Sequence, residues 1–102
     1  MPIQLWVLER RDGADRNDLG NTALEACRVA RAREGIRSAR FYWYGPDTIV
    51  LLTEGDAAAL DAPASADGAK AAFAMADMAR LVMNWRLVEP RAGEETYRRA
   101  GR

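Results

Sequence analysis

The chain has 102 residues, enough for one domain that buries about two thirds of the surface of its unfolded chain. Its 15 basic and 15 acidic side chains cancel, so the sequence lacks the basic surplus of a protein that binds a phosphate backbone. We therefore expect no nucleic-acid partner.

Composition also bears on origin and location. Arginine and alanine are abundant, with Lys70 the sole lysine, which indicates GC-rich coding and favours a bacterial source. The apolar run at residues 3–8 is too short for a signal-peptide core or a membrane span. Cys27 is the one cysteine and cannot form an internal disulfide, which fits a reducing compartment. We expect a cytoplasmic protein with no membrane partner.

The first elements are a strand and a helix. Residues 3–8 predict a strand, because they are apolar and largely β-favouring. The helix that follows is capped either at residues 17–18 or at Thr22, where a capping-box spacing occurs. It ends near Glu34, because Gly35 suits a left-handed C-terminal cap.

The next element is a hairpin, in which residues 41–44 and 48–53 flank a Gly-Pro-Asp turn. Residues 55–68 lack strand or core patterning and predict a loop with room for one helical turn. A second helix is predicted at residues 69–79, with one stripe made of Ala69, Ala72, Phe73 and Ala76.

A last strand is predicted at residues 81–88 and is stopped by Pro90. Residues 1–90 then form the domain, and residues 91–102 form a charged tail with a short helix near residues 94–99. The order strand, helix, strand, strand, helix, strand is that of a ferredoxin-like βαββαβ sandwich. We therefore predict an α+β fold in which a four-stranded antiparallel sheet carries two helices on one face.

Alternation along the strands sorts side chains between the two faces of this sheet. If Trp43 pairs with Ile49 and Phe41 with Leu51, the odd-numbered hairpin residues share one apolar face, although a one-residue slip would scramble the sorting. In the outer strands we assign the wholly apolar set to the helices: Ile3, Leu5, Val7, Leu81, Met83, Trp85 and Leu87.

The other face would then be bare, and soluble monomers rarely expose so large an apolar patch. We therefore predict a homodimer that closes sheet against sheet. Its predicted interface residues are Trp6, Leu8, Arg40, Tyr42, Tyr44, Val50, Leu52, Asn84 and Arg86.

In element order and pattern, residues 3–88 resemble the dimeric α/β-barrel superfamily, whose members pair two such sheets back to back. Relatives include cofactor-independent monooxygenases of the antibiotic-biosynthesis type, haem-degrading enzymes and stress-response barrel proteins. The resemblance implies a ligand cleft between sheet and helices. Its predicted lining is Phe41, Trp43, Phe73, Met75, Met83 and Trp85.

Several chemistries are excluded by residue content. The chain has no histidine, which removes imidazole base catalysis and the usual haem and zinc ligand. Cys27 falls on an alanine stripe and is interpreted as a packing residue. The aspartates at residues 12–18 lack the spacing of a calcium loop, and no glycine-rich phosphate loop occurs. We expect neither a metal nor a cofactor.

Two interpretations of Asn84, Trp85 and Arg86 remain open. Related monooxygenases use Asn, Trp and Arg side chains to hold substrate and stabilise an oxyanion. If Trp85 points into the cleft, however, alternation directs Asn84 and Arg86 to the dimer partner, so we favour an interface role for both. A buried arginine there needs an acidic partner, for which Glu9 or Glu54 could serve.

The function expected from these patterns is binding of a small apolar or aromatic molecule in the cleft of each subunit. One alternative is a cofactor-independent monooxygenase-like enzyme, and another is a purely structural interaction module. The sequence leaves open whether the protein is an enzyme, and it does not identify the ligand.

Overall fold

The computed structural model describes residues 1–91. Its elements are β1 (Ile3–Arg10), α1 (Arg16–Arg31), β2 (Ile36–Tyr44), β3 (Thr48–Gly55), α2 (Ala57–Asp61), α3 (Ala66–Met78) and β4 (Ala79–Leu87). The helix predicted near residues 94–99 lies outside the described residues. None of the helices within residues 1–91 has the length and apolar character needed to cross a membrane.

The four strands form one antiparallel sheet in the order β2-β3-β1-β4. Gly45 has a positive φ of 73°, which suits the tight reversal between β2 and β3. Trp43 is paired with Ile49 and Phe41 with Leu51, which is the register that places the odd-numbered hairpin residues on one face. Element order and pairing are those of the ferredoxin-like α+β fold, so the predicted fold is confirmed.

Helix α1 begins earlier than predicted. Asp15 is the N-cap, and its carboxylate accepts a hydrogen bond of 3.0 Å from the Asp18 amide. Thr22 lies inside the helix, where its hydroxyl donates to the Asp18 carbonyl at 2.9 Å. The helix ends at Arg31, shortly before the predicted end, and Gly35 takes a positive φ of 85°.

The segment after β3 contains one helical turn, α2, and then α3. Ser65 caps α3, and its hydroxyl accepts a hydrogen bond from the Gly68 amide at 3.0 Å. Ala71 and Met75 are the buried residues of α3. The predicted stripe is wrong, because both sides of this alanine-rich helix are apolar and the side turned from the core is the one with Ala69, Ala72, Phe73 and Ala76.

The core lies between α1, α3 and one face of the sheet. Leu19 and Ile49 have no exposed surface, and Ala23 of α1 is equally buried. Small helix residues thus leave room for large strand residues. Those packed against the core from the strands are Trp6, Phe41, Trp43 and Leu51.

The outer strands present the opposite faces from those predicted. Trp6 lies opposite Leu51, and Leu8 lies opposite Ile49, so both face the helices. The assignment failed because the most apolar set of strand residues was given to the helices, whereas the register places every member except Leu81 on the uncovered side. We call that side the open face; it carries Ile3, Leu5, Val7, Arg40, Tyr42, Tyr44, Val50, Leu52, Met83, Trp85 and Leu87.

A β-bulge in β4 changes the sorting within that strand. Leu8 lies opposite Leu81 but Val7 lies opposite Met83, so Val82 is an extra residue. Odd-numbered residues before the bulge therefore face the helices, and odd-numbered residues after it lie on the open face.

Candidate functional site

Four side chains of β1 and β4 meet on the helix-facing side of the sheet. Trp6 lies directly opposite Asn84, and Gln4 lies directly opposite Arg86. Directly opposed residues of an antiparallel pair project to the same face, so the four form one surface. We call this surface the polar floor.

Hydrogen bonds join the polar floor into a chain. The Gln4 Nε2 donates to Asn84 Oδ1 at 2.5 Å, and Arg86 Nε donates to Gln4 Oε1 at 2.6 Å. Arg86 Nη2 donates to Asp61 Oδ1 at 2.8 Å. The chain fixes the amide and guanidinium planes relative to one another, which is the preorganisation that a binding site needs.

Asp61 reaches the floor because α2 is held in place. The Asp56 amide donates to the Gly35 carbonyl at 2.9 Å where α2 begins. Beyond α2, Arg33 Nη2 donates to the carbonyls of Ala62 at 3.4 Å and Pro63 at 3.2 Å. The segment that contains α2 therefore crosses one end of the polar floor, where the Asp61 carboxylate accepts the hydrogen bond from Arg86.

The polar floor is not covered by α3. That helix packs chiefly against α1 and makes few contacts with β4. Asn84 is exposed, Leu81 is 50% exposed, and Trp6 is half-buried. The helix-facing side of β1 and β4 is thus partly open to solvent around Trp6 and Asn84.

The residues predicted to line a cleft are not brought together. Phe41 and Trp43 do face the helices, but the Arg16 guanidinium lies 3.8 Å above the Trp43 ring and covers it. Met75 belongs to the closed core, and Phe73 is 74% exposed.

Met83 and Trp85, also predicted to line the cleft, lie on the open face instead, on the far side of the sheet from the helices. The predicted placement of these two residues is therefore wrong. The cause is the face assignment of the outer strands.

The predicted interface residues divide in the same way. Trp6, Leu8, Asn84 and Arg86 face the helices, so their placement on the uncovered side is wrong. The hairpin residues lie on the open face, as their alternation predicts: Arg40, Tyr42, Tyr44, Val50 and Leu52.

Sequence reasoning missed Gln4 and Asp61 as site residues. Gln4 carried a signal, because it is the one polar side chain in the first predicted strand and alternates with Trp6. Asp61 carried none, since it lies in an alanine-rich segment without pattern. The acidic partner of Arg86 is Asp61, whereas Glu9 pairs with Arg80 at 3.2 Å.

Two surface hollows lie elsewhere. A groove of about 370 Å³ between α1 and α3 has charged walls that include the ion pair of Glu25 with Arg28. A hollow of about 250 Å³ on the open face is lined by Ile3, Ser38, Arg40, Tyr42, Leu52 and Glu54. Residues 1–91 contain no cluster of three or more histidine, cysteine or acidic side chains that could hold a metal ion.

No protein-family model and no curated protein sequence matches the chain. Several solved structures share its fold. A conserved protein of unknown function from Bacteroides thetaiotaomicron, described as a possible oxidoreductase, superposes with a TM-score of 0.71 at 19% identity, covering 84% of this chain and 95% of that one. Rv0793 from Mycobacterium tuberculosis gives a TM-score of 0.70 at 17% identity, covering 92% of this chain and 100% of that one.

SnoaB from Streptomyces nogalater, a cofactor-independent oxygenase, gives a TM-score of 0.71 at 9% identity, covering 91% of this chain and 97% of that one. At these identities the similarity is one of fold. These structures confirm the predicted ferredoxin-like α+β fold.

Proposed function

We propose that this protein binds a small aromatic molecule carrying a carbonyl or phenolic oxygen on the polar floor. The observation that carries the proposal is the hydrogen-bonded chain Asp61–Arg86–Gln4–Asn84 beside Trp6, on a surface that α3 leaves uncovered.

The residue types on the floor suit such a ligand. Trp6 offers an aromatic surface against which a planar ring can pack. Within residues 1–91, neither Asn84 Nδ2 nor Arg86 Nη1 has a hydrogen-bond acceptor. Both groups donate, so an oxygen acceptor on the ring would satisfy them. Because Asp61 already balances the charge of Arg86, an uncharged oxygen fits better than a carboxylate.

We also propose that the protein works as a homodimer joined through the open face. Trp85 is 59% exposed, Leu87 43% and Met83 37%, and they adjoin the apolar side chains of β1. Soluble monomers seldom leave such a patch in water. The face spans four strands of about eight residues, or roughly 500 Å² of projected area per copy, which brings a pair to about the 1,000 Å² that a specific interface needs.

A cofactor-independent oxygenase is the second candidate, favoured by the presence of Trp6, Asn84 and Arg86 on one floor. These are the residue types that the resemblance associates with oxyanion stabilisation, and the fold is shared with one such oxygenase. In the oxidation of anthrone, one oxygen atom of O₂ becomes the new carbonyl and the other leaves as water. The substrate supplies the electrons and both hydrogens, while the Asn84 amide and the Arg86 guanidinium would stabilise its enolate.

Binding is tested by thermal unfolding with a panel of 2-naphthol, 1,4-naphthoquinone and anthrone. A ligand at 100 times its Kd stabilises by about 2.7 kcal/mol, which raises the Tm of a domain of about 100 residues by roughly 10 °C or more. The double variant Asn84→Ala/Arg86→Ala should lose this shift. Arg28→Ala, which removes an exposed arginine in an ion pair on α1, should keep it. Unmoved melting temperatures across the panel, together with unchanged NMR shifts of the Trp6 indole, would leave only the interaction-module interpretation.

Oxygen consumption tests the enzyme. Wild-type protein with anthrone should consume one O₂ for each anthraquinone formed, and Asn84→Ala should slow the reaction. Binding without oxygen uptake would retain the first proposal and reject the second.

A further inference from the structure

We propose that Trp85 of each subunit seats over Arg40 of the partner subunit, in the hollow of about 250 Å³ on the open face. The inference rests on the sheet-to-sheet homodimer proposed above and specifies its register.

The register of the sheet supplies the first argument. Arg40 lies opposite Leu52, Leu52 opposite Leu5, and Leu5 opposite Trp85. These residues form one straight row across all four strands of the open face. Arg40 is at one edge, on β2, and Trp85 is at the other, on β4.

Twofold symmetry then brings the two ends of the row together. Two in-plane twofold axes keep the strands of facing sheets aligned, one parallel and one perpendicular to the strands, and the Trp85 contact requires the parallel one. With the axis between the central strands, β4 of one copy lies over β2 of the other at the same level. A relative rotation of about 30° displaces an edge strand by about 4 Å along its length, roughly one residue. The hollow extends along β2 from Ser38 to Tyr42 and tolerates that displacement.

The chemistry of the hollow matches an indole. Arg40 is exposed at its base, and a hydrogen bond with the Tyr42 side chain raises the pKa of the guanidinium, so the group stays cationic. Tryptophan is the aromatic side chain that attracts such a cation most strongly, and more so when water is excluded.

The polar edge of the indole also finds a match. Within residues 1–91 the Trp85 Nε1–H has no acceptor, and an indole that becomes buried usually acquires one. Glu54 and Ser38 both line the hollow and supply acceptor oxygens. The hollow therefore offers a cation for the face of the indole ring and an acceptor for its N–H.

The experiment is a double-mutant cycle on dimerisation, measured by sedimentation equilibrium of the full chain. Arg40→Gln and Trp85→Ala should each raise the dimer Kd about 5- to 30-fold, because each removes two symmetric contacts, and the double variant should add little to either. Phe73→Ala is the matched control: its ring is 74% exposed but lies on α3, away from the open face, so the Kd should not change. Trp85→Phe keeps a ring and should weaken the dimer less than Trp85→Ala.

A second measurement does not depend on the size of the change in the dimer Kd. In the variant Trp6→Phe/Trp43→Phe, Trp85 is the only tryptophan, and its emission should shift to shorter wavelength over the concentrations at which the dimer forms. If neither Arg40→Gln nor Trp85→Ala changes the dimer Kd, the contact between Trp85 and the partner's Arg40 is rejected and the dimer is retained. A chain that stays monomeric at tens of micromolar would overturn the dimer itself. A dimer weakened by Phe73→Ala but not by Trp85→Ala would place the interface on α3 and overturn both.

Discussion

Trp6 and Asn84 face one another across the antiparallel pair of β1 and β4, on the side of the sheet that carries the helices. Gln4 and Arg86 form the next opposed pair on that side, and Asp61 completes the hydrogen-bonded chain from α2. The aromatic surface and the polar donors thus come from two strands that are adjacent in space and distant in sequence. Neither strand alone contains the site.

Removal of the Asn84 amide should weaken ligand binding without destabilising the fold. In Asn84→Ala we expect the affinity for 2-naphthol to fall about 2- to 10-fold, the usual effect of losing one hydrogen bond. Asn84 is exposed, so the free energy of unfolding should change little. Titration calorimetry measures the affinity. Asn21→Ala, an exposed site on α1, is the control, and equal affinities in all three proteins would contradict the placement of the ligand.

Neutralising Asp61 should change which ligands bind. Asp61→Asn removes the counter-charge of Arg86, so affinity for the anion 2-naphthoate should rise about tenfold while that for uncharged 2-naphthol stays nearly constant. Added salt should reduce the gain. The carboxylate is largely exposed, so the unfolding free energy should fall by no more than about 1 kcal/mol.

The control for Asp61 is Asp12→Asn, which removes an exposed loop carboxylate. It should leave the ratio of the two affinities unchanged. A ratio that moves equally in both variants would mean that only the net charge of the protein matters.

Substitution of two glycines with nearly the same φ should distinguish the cost of backbone strain from the cost of a steric clash. Gly13 and Gly35 have φ values of 84° and 85°, but a Cβ on Gly13 would meet nothing within 4 Å, whereas one on Gly35 would lie 2.8 Å from the Ala59 Cβ. Gly13→Ala should cost about 1 kcal/mol from the left-handed conformation alone. Gly35→Ala should cost roughly 1–3 kcal/mol more, because α2 must move. Urea unfolding gives both values, and equal losses of unfolding free energy would show that α2 can move away from the new side chain at little cost.

Stability should fall at alkaline pH because of Cys27. Burial, opposed in part by the charge of Arg31, raises the pKa of the Cys27 thiol. The unfolded chain therefore binds fewer protons than the folded chain once the pH passes the ordinary thiol pKa of about 8.5. The unfolding free energy should decrease as pH rises through that range up to the folded pKa, and be unaffected below it. Cys27→Ala should lose this decrease; the same slope in both proteins would assign it to other groups.

The hairpin could be predicted because its two strands and its turn agree. The turn leaves a one-residue ambiguity in the register, and the structure has the register in which Trp43 and Ile49 share a face. The start of α1 was harder, because residues 17–18 and Thr22 are all good cap residues, whereas the folded chain uses Asp15.

The faces of the outer strands could not be predicted from the sequence. In β1 both alternating sets contain large apolar side chains, with Leu5 and Val7 in one and Trp6 and Leu8 in the other. Hydrophobicity therefore does not choose between them, and pairing with β3 does. The bond between Asp61 and Arg86 joins two segments 25 residues apart and depends on where α2 settles, which no local pattern encodes.

The extra residue at Val82 has a consequence for how this scaffold could change over evolutionary time. Because it reverses the alternation of the rest of β4, it aims Asn84 and Arg86 toward α3 and aims Trp85 outward. Deletion of that one codon would leave a regular strand in which Met83 still lies opposite Val7 and Asn84 still lies opposite Trp6, so both surfaces would be retained. A lineage could therefore lose the bulge and keep both surfaces, whereas a one-residue slip of β4 past the bulge would exchange the apolar set and the polar set between the two sides of the sheet.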